Sequence, residues 1–357
     1  MGYPSVTLPV ERWPAADRDL WEAANRSGDP LEDDGRAAHW SPRTRHQVAK
    51  DYGRFLFWLA GNGELNASEM PGSRLSRDRL ERYLSHLQAT GMASTSLLSR
   101  FRALRQAIAA LDPTADLAHL ARLCARLKAR AVPRRQKHLR LVDPAEIVDK
   151  ALAYYASLIA SVGPVPTRGC TRARDALMLA FLTHRPVRLA SFAGLRIGDS
   201  VLRTPTGMRL SLGSSETKEK RPYDCACPED LLAHLDHYLE VIRPRLLREG
   251  TSDALWIAMG GTPMSESTIY YQITSITRRL LGHPINPHLI RDCVLTSLAI
   301  DAPMSVRAGA RLLGHRDLKT GEMHYNHASA ASAQRAHFTV VQDLRAPLLA
   351  GAKDKDA

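Results

Sequence analysis

Residues 186–227 read PVRLASFAGLRIGDSVLRTPTGMRLSLGSSETKEKRPYDCAC, and this stretch decides what kind of fold the chain builds. It holds three short segments, Leu195 to Ile197, Met208 to Leu212 and Arg221 to Cys225, punctuated by Gly207 and Gly213. Such spacing predicts short strands joined by turns, with Glu216 to Arg221 as a charged turn. The flanks read differently. Arg174 to Leu182 is a strongly apolar helix, and Asp143-Pro144-Ala145-Glu146 is a helix start. After Pro228, the residues Leu231, Leu232, Leu235, Tyr238 and Leu239 recur at helical spacing. Leu255 to Ala258 reads as one more short strand, and the chain from Ser265 onward reads as helix. Residues 143–328 are thus expected to form an α+β domain with a small sheet.

Upstream, Ser41-Pro42 is an N-cap and first-turn pair, followed by Val48, Tyr52, Phe55, Leu56 and Leu59 on one helical face. Gly61-Asn62-Gly63 ends that helix. Further helices are expected over 76–90, 94–111 and 115–130, which completes a small all-helical domain, 41–130. Residues 1–40 carry four prolines and read as a partly irregular arm with one short helix around Asp17 to Asn25. Pro133 breaks the last helix, so 131–142 is expected to be a linker. The expected fold is mainly α with a small sheet, an N-terminal helical domain followed by an α+β domain.

Charge narrows the partner. Lys and Arg number 49 against 37 acids among 357 residues, a net of +12. Residues 1–40 hold eight acids and four bases, which leaves +16 on residues 41–357. An excess of that size points to a polyanion, most simply nucleic acid. It concentrates at 121–140, where Arg122, Arg126, Lys128, Arg130, Arg134, Arg135, Lys137 and Arg140 occur with no acid. That segment is expected to lie along phosphates. The longest apolar run, Ala176 to Leu182, is too short for a membrane span, and no secretory signal is expected at the N-terminus. Five cysteines, an odd and sparse set, fit a reducing cytoplasm.

His288-Leu289-Ile290-Arg291 places a His and an Arg on one helical face. Alone the pair means little, since His119-Leu120-Ala121-Arg122 repeats it. It gains meaning from Gly314-His315 downstream, Tyr325 ten residues further on, Arg188 upstream and Lys218 in the charged turn. In this order and approximate spacing the residues resemble the catalytic signature of the tyrosine recombinase (phage integrase) family. The likeness covers roughly 141–330, and 41–130 resembles that family's core-binding domain.

The resemblance implies a site-specific DNA recombinase acting through a 3′-phosphotyrosine and a Holliday junction. Tyr325 would be the nucleophile. Arg188 and Arg291 would hold the phosphate, because guanidinium presents fixed paired donors and keeps its proton. Lys218 would protonate the leaving 5′ oxygen, with Lys220 competing for that role. His288 would assist proton transfer and His315 would hydrogen-bond the phosphate. No cofactor and no metal is implied. The implied partners are double-stranded recombination sites and a homotetramer on DNA, with partner recombinases left open, and no membrane. A topoisomerase or telomere resolvase would share the chemistry, and a DNA-binding regulator would share only the fold.

Three departures stand out. The family's acid three residues after the first arginine is Ser191 here. The histidine often found after the second arginine is Asp292. The His315 to Tyr325 interval is one residue longer than the commonest form. Two other clusters, Cys225 and Cys227 with His234 and His237, and His324 with His327, resemble metal ligands in composition only. Residues 329–349 read as an amphipathic helix, and the resemblance implies that it docks on a neighbouring protomer.

Overall fold

The computed structural model describes residues 6–29, 33–132, 140–160, 166–217 and 222–301. The chain divides into two compact units, Met1–Gln136 and Lys137–Ala357.

In the first unit, helices α1 (Ala15–Asn25), α2 (Pro42–Gly61), α3 (Arg77–Ala89), α4 (Ser94–Leu111) and α5 (Ala118–Ala129) surround one core. Local chemistry sets their ends. The Ser41 hydroxyl accepts the Thr44 N–H at 3.2 Å, and Pro42 occupies the first turn, where its missing N–H is harmless. Ser76 caps α3 in the same way. Helix α5 starts three residues later than its composition suggests, because the Asp116 carboxylate accepts the Ala118 N–H at 2.8 Å. The stripe Tyr52, Phe55, Leu56 and Leu59 of α2 is buried, and Tyr83 of α3 sits edge-on between Phe55 and Phe101 at centroid distances of 5.2 and 5.7 Å. Helix α1 belongs to this core. Trp13 is buried against Tyr52, and Asp17 is held by Tyr52 and Arg74.

The second unit is built round helix α7 (Thr167–His184), in which every residue from Ala173 to Thr183 is buried. A helix apolar on all sides must be wrapped on all sides. Helix α6 (Pro144–Ile159), short α8 (Leu189–Ala193), α9 (Glu229–His237), a π-helical turn at Tyr238–Ile242, α10 (Arg243–Leu247), α11 (Glu266–Leu281) and α12 (Pro287–Asp301), with one 3-10 turn at Ser214–Glu216, make up the rest of its helices among the described residues. The sheet is antiparallel, ordered β1 (Val201–Thr204), β2 (Gly207–Leu212), β3 (Tyr223–Ala226). Val201 pairs with Leu210, and Leu212 with Tyr223.

The sheet differs in detail from the sequence expectation. The segment Leu195 to Ile197 is no strand of this sheet. Gly198, at φ +82°, turns the chain there, so Arg196 makes an isolated bridge with Ala254 and the first strand is Val201–Thr204. Leu255 to Ala258 forms no ladder either; Ile257 makes a single bridge to Pro263. The β2 and β3 expectations match to within two residues. Helix α7 begins seven residues before Arg174, because its first turns are polar and carry no apolar period.

Candidate active site

Helix α7 ends at His184, and Pro186 prevents its continuation, so the chain leaves extended through Val187 and Arg188. Arg188 is the N-cap residue of α8 and is half-buried. A second route brings α12 to the same place. The Thr277 hydroxyl binds both the N–H and the C=O of Ile285 at 2.9 Å, which fixes the loop after α11, and Asn286 accepts the Leu289 N–H at 2.9 Å to start α12. One turn in, Arg291 is only 6% exposed and donates from Nη1 to the carbonyl of Pro186. His288 stands at the exposed rim of the same helix.

The two arginines are thereby close enough to act on each other. Burial, and next the positive charge of Arg188, push the Arg291 pKa down to about 10, while Asp292 and Tyr223 pull the other way. Arg291 is still a cation at neutral pH. A buried cation beside another cation is held at a cost, which an anion drawn into the site would relieve. The strand residue Tyr223, with its own pKa raised by burial, also lies within the electrostatic reach of Arg291 and Arg185.

Ser191 closes the third side. It is buried, and its hydroxyl donates to the Glu216 carbonyl at 2.8 Å, joining α8 to the turn after β2. The Glu216 carboxylate in turn accepts the Gly213 N–H at 2.7 Å, which braces that turn internally. Thr217 is the last described residue before Lys218.

The phage integrase family model matches residues 157–332. Tyrosine recombinase XerD of Proteus mirabilis is 26% identical over 166 residues, 46% of this chain and 50% of that protein. XerD of Staphylococcus epidermidis strain RP62A is 26% identical over 274 residues, 74% of this chain and 82% of that protein. Over residues 157–332 the chain is similar to the tyrosine recombinases. Among solved structures, the XerH site-specific recombinase in a post-cleavage complex with difH substrate covers 92% of this chain and 98% of its own, at a TM-score of 0.59 and 13% identity. The Tn1549 transposon integrase in complex with transposon right-end DNA covers 89% and 98%, at 0.53 and 14%. These likenesses are of fold.

Of the six signature positions, the structure brings Arg188 and Arg291 together and puts His288 three residues from Arg291 on α12. Lys218, His315 and Tyr325 lie outside the described residues, as do Lys220, His324, His327 and the segment 329–349. Of the basic positions, Arg122, Arg126, Lys128 and Arg130 are at the surface on and after α5, whose Leu120 and Cys124 face the core. Arg134, Arg135 and Lys137 lie outside the described residues. Arg140 is half-buried and donates to the Pro284 carbonyl, where it helps hold the loop before α12.

The cysteine and histidine cluster is otherwise engaged. Burial raises the Cys227 pKa to about 11, the His237 Nδ1 meets the Tyr155 hydroxyl at 2.8 Å, and the His234 Nδ1 meets the Asp230 carbonyl at 3.1 Å. Among the described residues no three His, Cys, Asp or Glu side chains gather as metal ligands. Two contributors escaped the sequence reading, Tyr223 beside Arg291 and the Ser191 link to Glu216. Neither has a local signal, since each depends on a partner far along the chain.

Proposed function

We propose that this protein is a site-specific DNA recombinase that cuts and rejoins strands by transesterification. The observation that carries the reading is the buried Arg291 guanidinium beside Arg188, a cationic pair held at an electrostatic cost and suited to the non-bridging oxygens of a phosphodiester. In the attack, the Tyr325 oxygen bonds to phosphorus, the bond to the 5′ oxygen breaks, and a proton moves from Lys218 to the departing oxygen. His288 assists removal of the tyrosine proton, and His315 donates to the phosphate. The charge that gathers on phosphorus oxygens in the transition state is what Arg188 and Arg291 stabilise, more strongly than they bind the ground state. Rejoining is the reverse step with a new 5′ hydroxyl. The phosphotyrosine bond stores the energy, so no nucleotide is consumed.

The partner is double-stranded DNA, met also by the basic positions at 122–137. Four protomers assemble on paired sites, with the segment 329–349 reaching between them, and the enzyme works in the cytoplasm on nucleoid DNA. The deciding experiment is incubation of the full chain with nicked target DNA, followed by a denaturing gel. A covalent adduct that disappears in Tyr325→Phe, with DNA binding retained, supports the reading. An adduct that persists and maps to Tyr270 or Tyr271 moves the nucleophile, and no adduct at all leaves a DNA-binding regulator. Relaxation without strand exchange between two sites would make it a topoisomerase.

A further inference from the structure

A cleft of about 440 Å³ opens in the second unit between the first turns of α7, one side of α11 from Thr268 to Arg279 and the loop at Met259. Arg168 and Arg172, four residues apart on α7, share one helical face, and Arg279 enters from α11. All three are exposed. The lining holds four guanidiniums against one carboxylate, Asp175, and that carboxylate is already clamped by Arg174 at 3.0 and 2.7 Å. None of Arg168, Arg172 and Arg279 is in an ion pair among the described residues. Thr171, Thr268 and Ser275 add hydroxyls to the walls. The positive end of the α7 macrodipole points the same way.

This chemistry selects a multiply charged anion, and its dominant group is the guanidinium fork that grips phosphate. It cannot be the phosphate at Arg188 and Arg291. On helix α7, 12 residues separate Arg172 from His184 at the other end, roughly 18 Å at about 1.5 Å per residue. We propose that the cleft is a second phosphodiester-backbone site, which holds duplex DNA away from the strand being cut. The inference rests on the DNA reading above and adds a separate surface to it. A polyanion of regular charge spacing, such as duplex DNA, can occupy both places at once.

The test is the salt dependence of duplex binding by the full chain and by the combined variant Arg168→Gln, Arg172→Gln, Arg279→Gln. Each phosphate that is no longer neutralised should lower the log–log slope by about 0.9, so a decrease of roughly 2–3 is expected. Single-turnover cleavage of DNA already bound at saturation should be unchanged. The matching set of Arg→Lys substitutions should restore most of the slope, and single Gln substitutions should each give about a third of the effect, which guards against a variant that misfolds. An unchanged slope in a folded variant overturns the inference. So does a loss of self-association in the absence of DNA with the slope retained, which would mark a protein surface. If the wild-type protein itself shows no salt-dependent binding, the DNA reading has failed instead.

Discussion

Arg74 in the helical unit and Arg291 in the second unit are both buried guanidiniums, and the protein treats them in opposite ways. Arg74 is fully buried, and its two Nη atoms donate to Asp17 at 2.5 and 3.1 Å, to the Tyr52 hydroxyl at 2.8 Å and to the Glu69 and Asn66 carbonyls, while its Nε has no partner among the described residues. Burial works against its charge, yet its hydrogen bonds to Asp17 and the neighbouring charges outweigh it, and its pKa is raised. Arg291 donates to the Pro186 carbonyl and lies beside Arg188. There burial and the like charge outweigh the help from Asp292, and the pKa falls to about 10. That fall corresponds to about 3 kcal/mol against the charged form. A base with a depressed folded-state pKa bears this penalty in full below the folded value. It is therefore present at neutral pH and relieved only as the pH rises through about 10. A buried arginine whose charge the fold neutralises holds structure together. One whose charge the fold disfavours is poised for an anion brought from outside.

Replacing each arginine by a neutral side chain breaks this comparison in opposite directions. Arg291→Leu should reduce the rate of DNA cleavage by about 10³-fold or more, as loss of a transition-state arginine does. Its melting temperature should equal or exceed that of the parent, because a penalised charge has gone. Kinetics together with a thermal melt read both outcomes, and a markedly lower melting temperature would return Arg291 to the structural class.

Arg74→Met should do the reverse. It strands the Asp17 carboxylate in the core and should lower stability by about 3–5 kcal/mol, measured by urea unfolding. Adding Asp17→Leu to it should recover much of that loss. If the double variant is no better than the single one, the cluster does not behave as a paired charge.

The smallest effect is expected at Ser191, which carries no charge but joins α8 to the turn leading to Lys218. Ser191→Ala removes one neutral hydrogen bond, so about 1 kcal/mol of stability and roughly a tenfold slower cleavage are expected. Ser191→Thr keeps the hydroxyl and should retain the rate. Ser191→Asp should fail, because a carboxylate would face the Glu216 carbonyl, although an acid is the family's usual choice there. Full activity in Ser191→Asp would show that the link plays no part in holding the turn.

The caps and stops of the helices were legible along the chain, because they depend on residues within a few positions of each other. Ser41-Pro42 opens α2, Asp112-Pro113 closes α4 and Asp143-Pro144 opens α6. The small sheet was legible as a region but not strand by strand. Val201–Thr204 has no stronger strand period than Leu195 to Ile197, and only the turn at Gly198 and the bridge to Ala254 assign the ladder to the former. The likeness of the signature was legible because it rests on residue type and order.

By itself, then, the sequence determined which chemical groups are present, in what order, and where helices begin and end, since these are short-range properties of the chain. Only the tertiary structure decided that Arg291 lies buried beside Arg188 under the Pro186 carbonyl, that Ser191 reaches Glu216, and that Arg74 is neutralised by Asp17. Each of these joins residues from 25 to 105 positions apart, and the charge state of a buried group depends on what packing brings within a few ångströms of it.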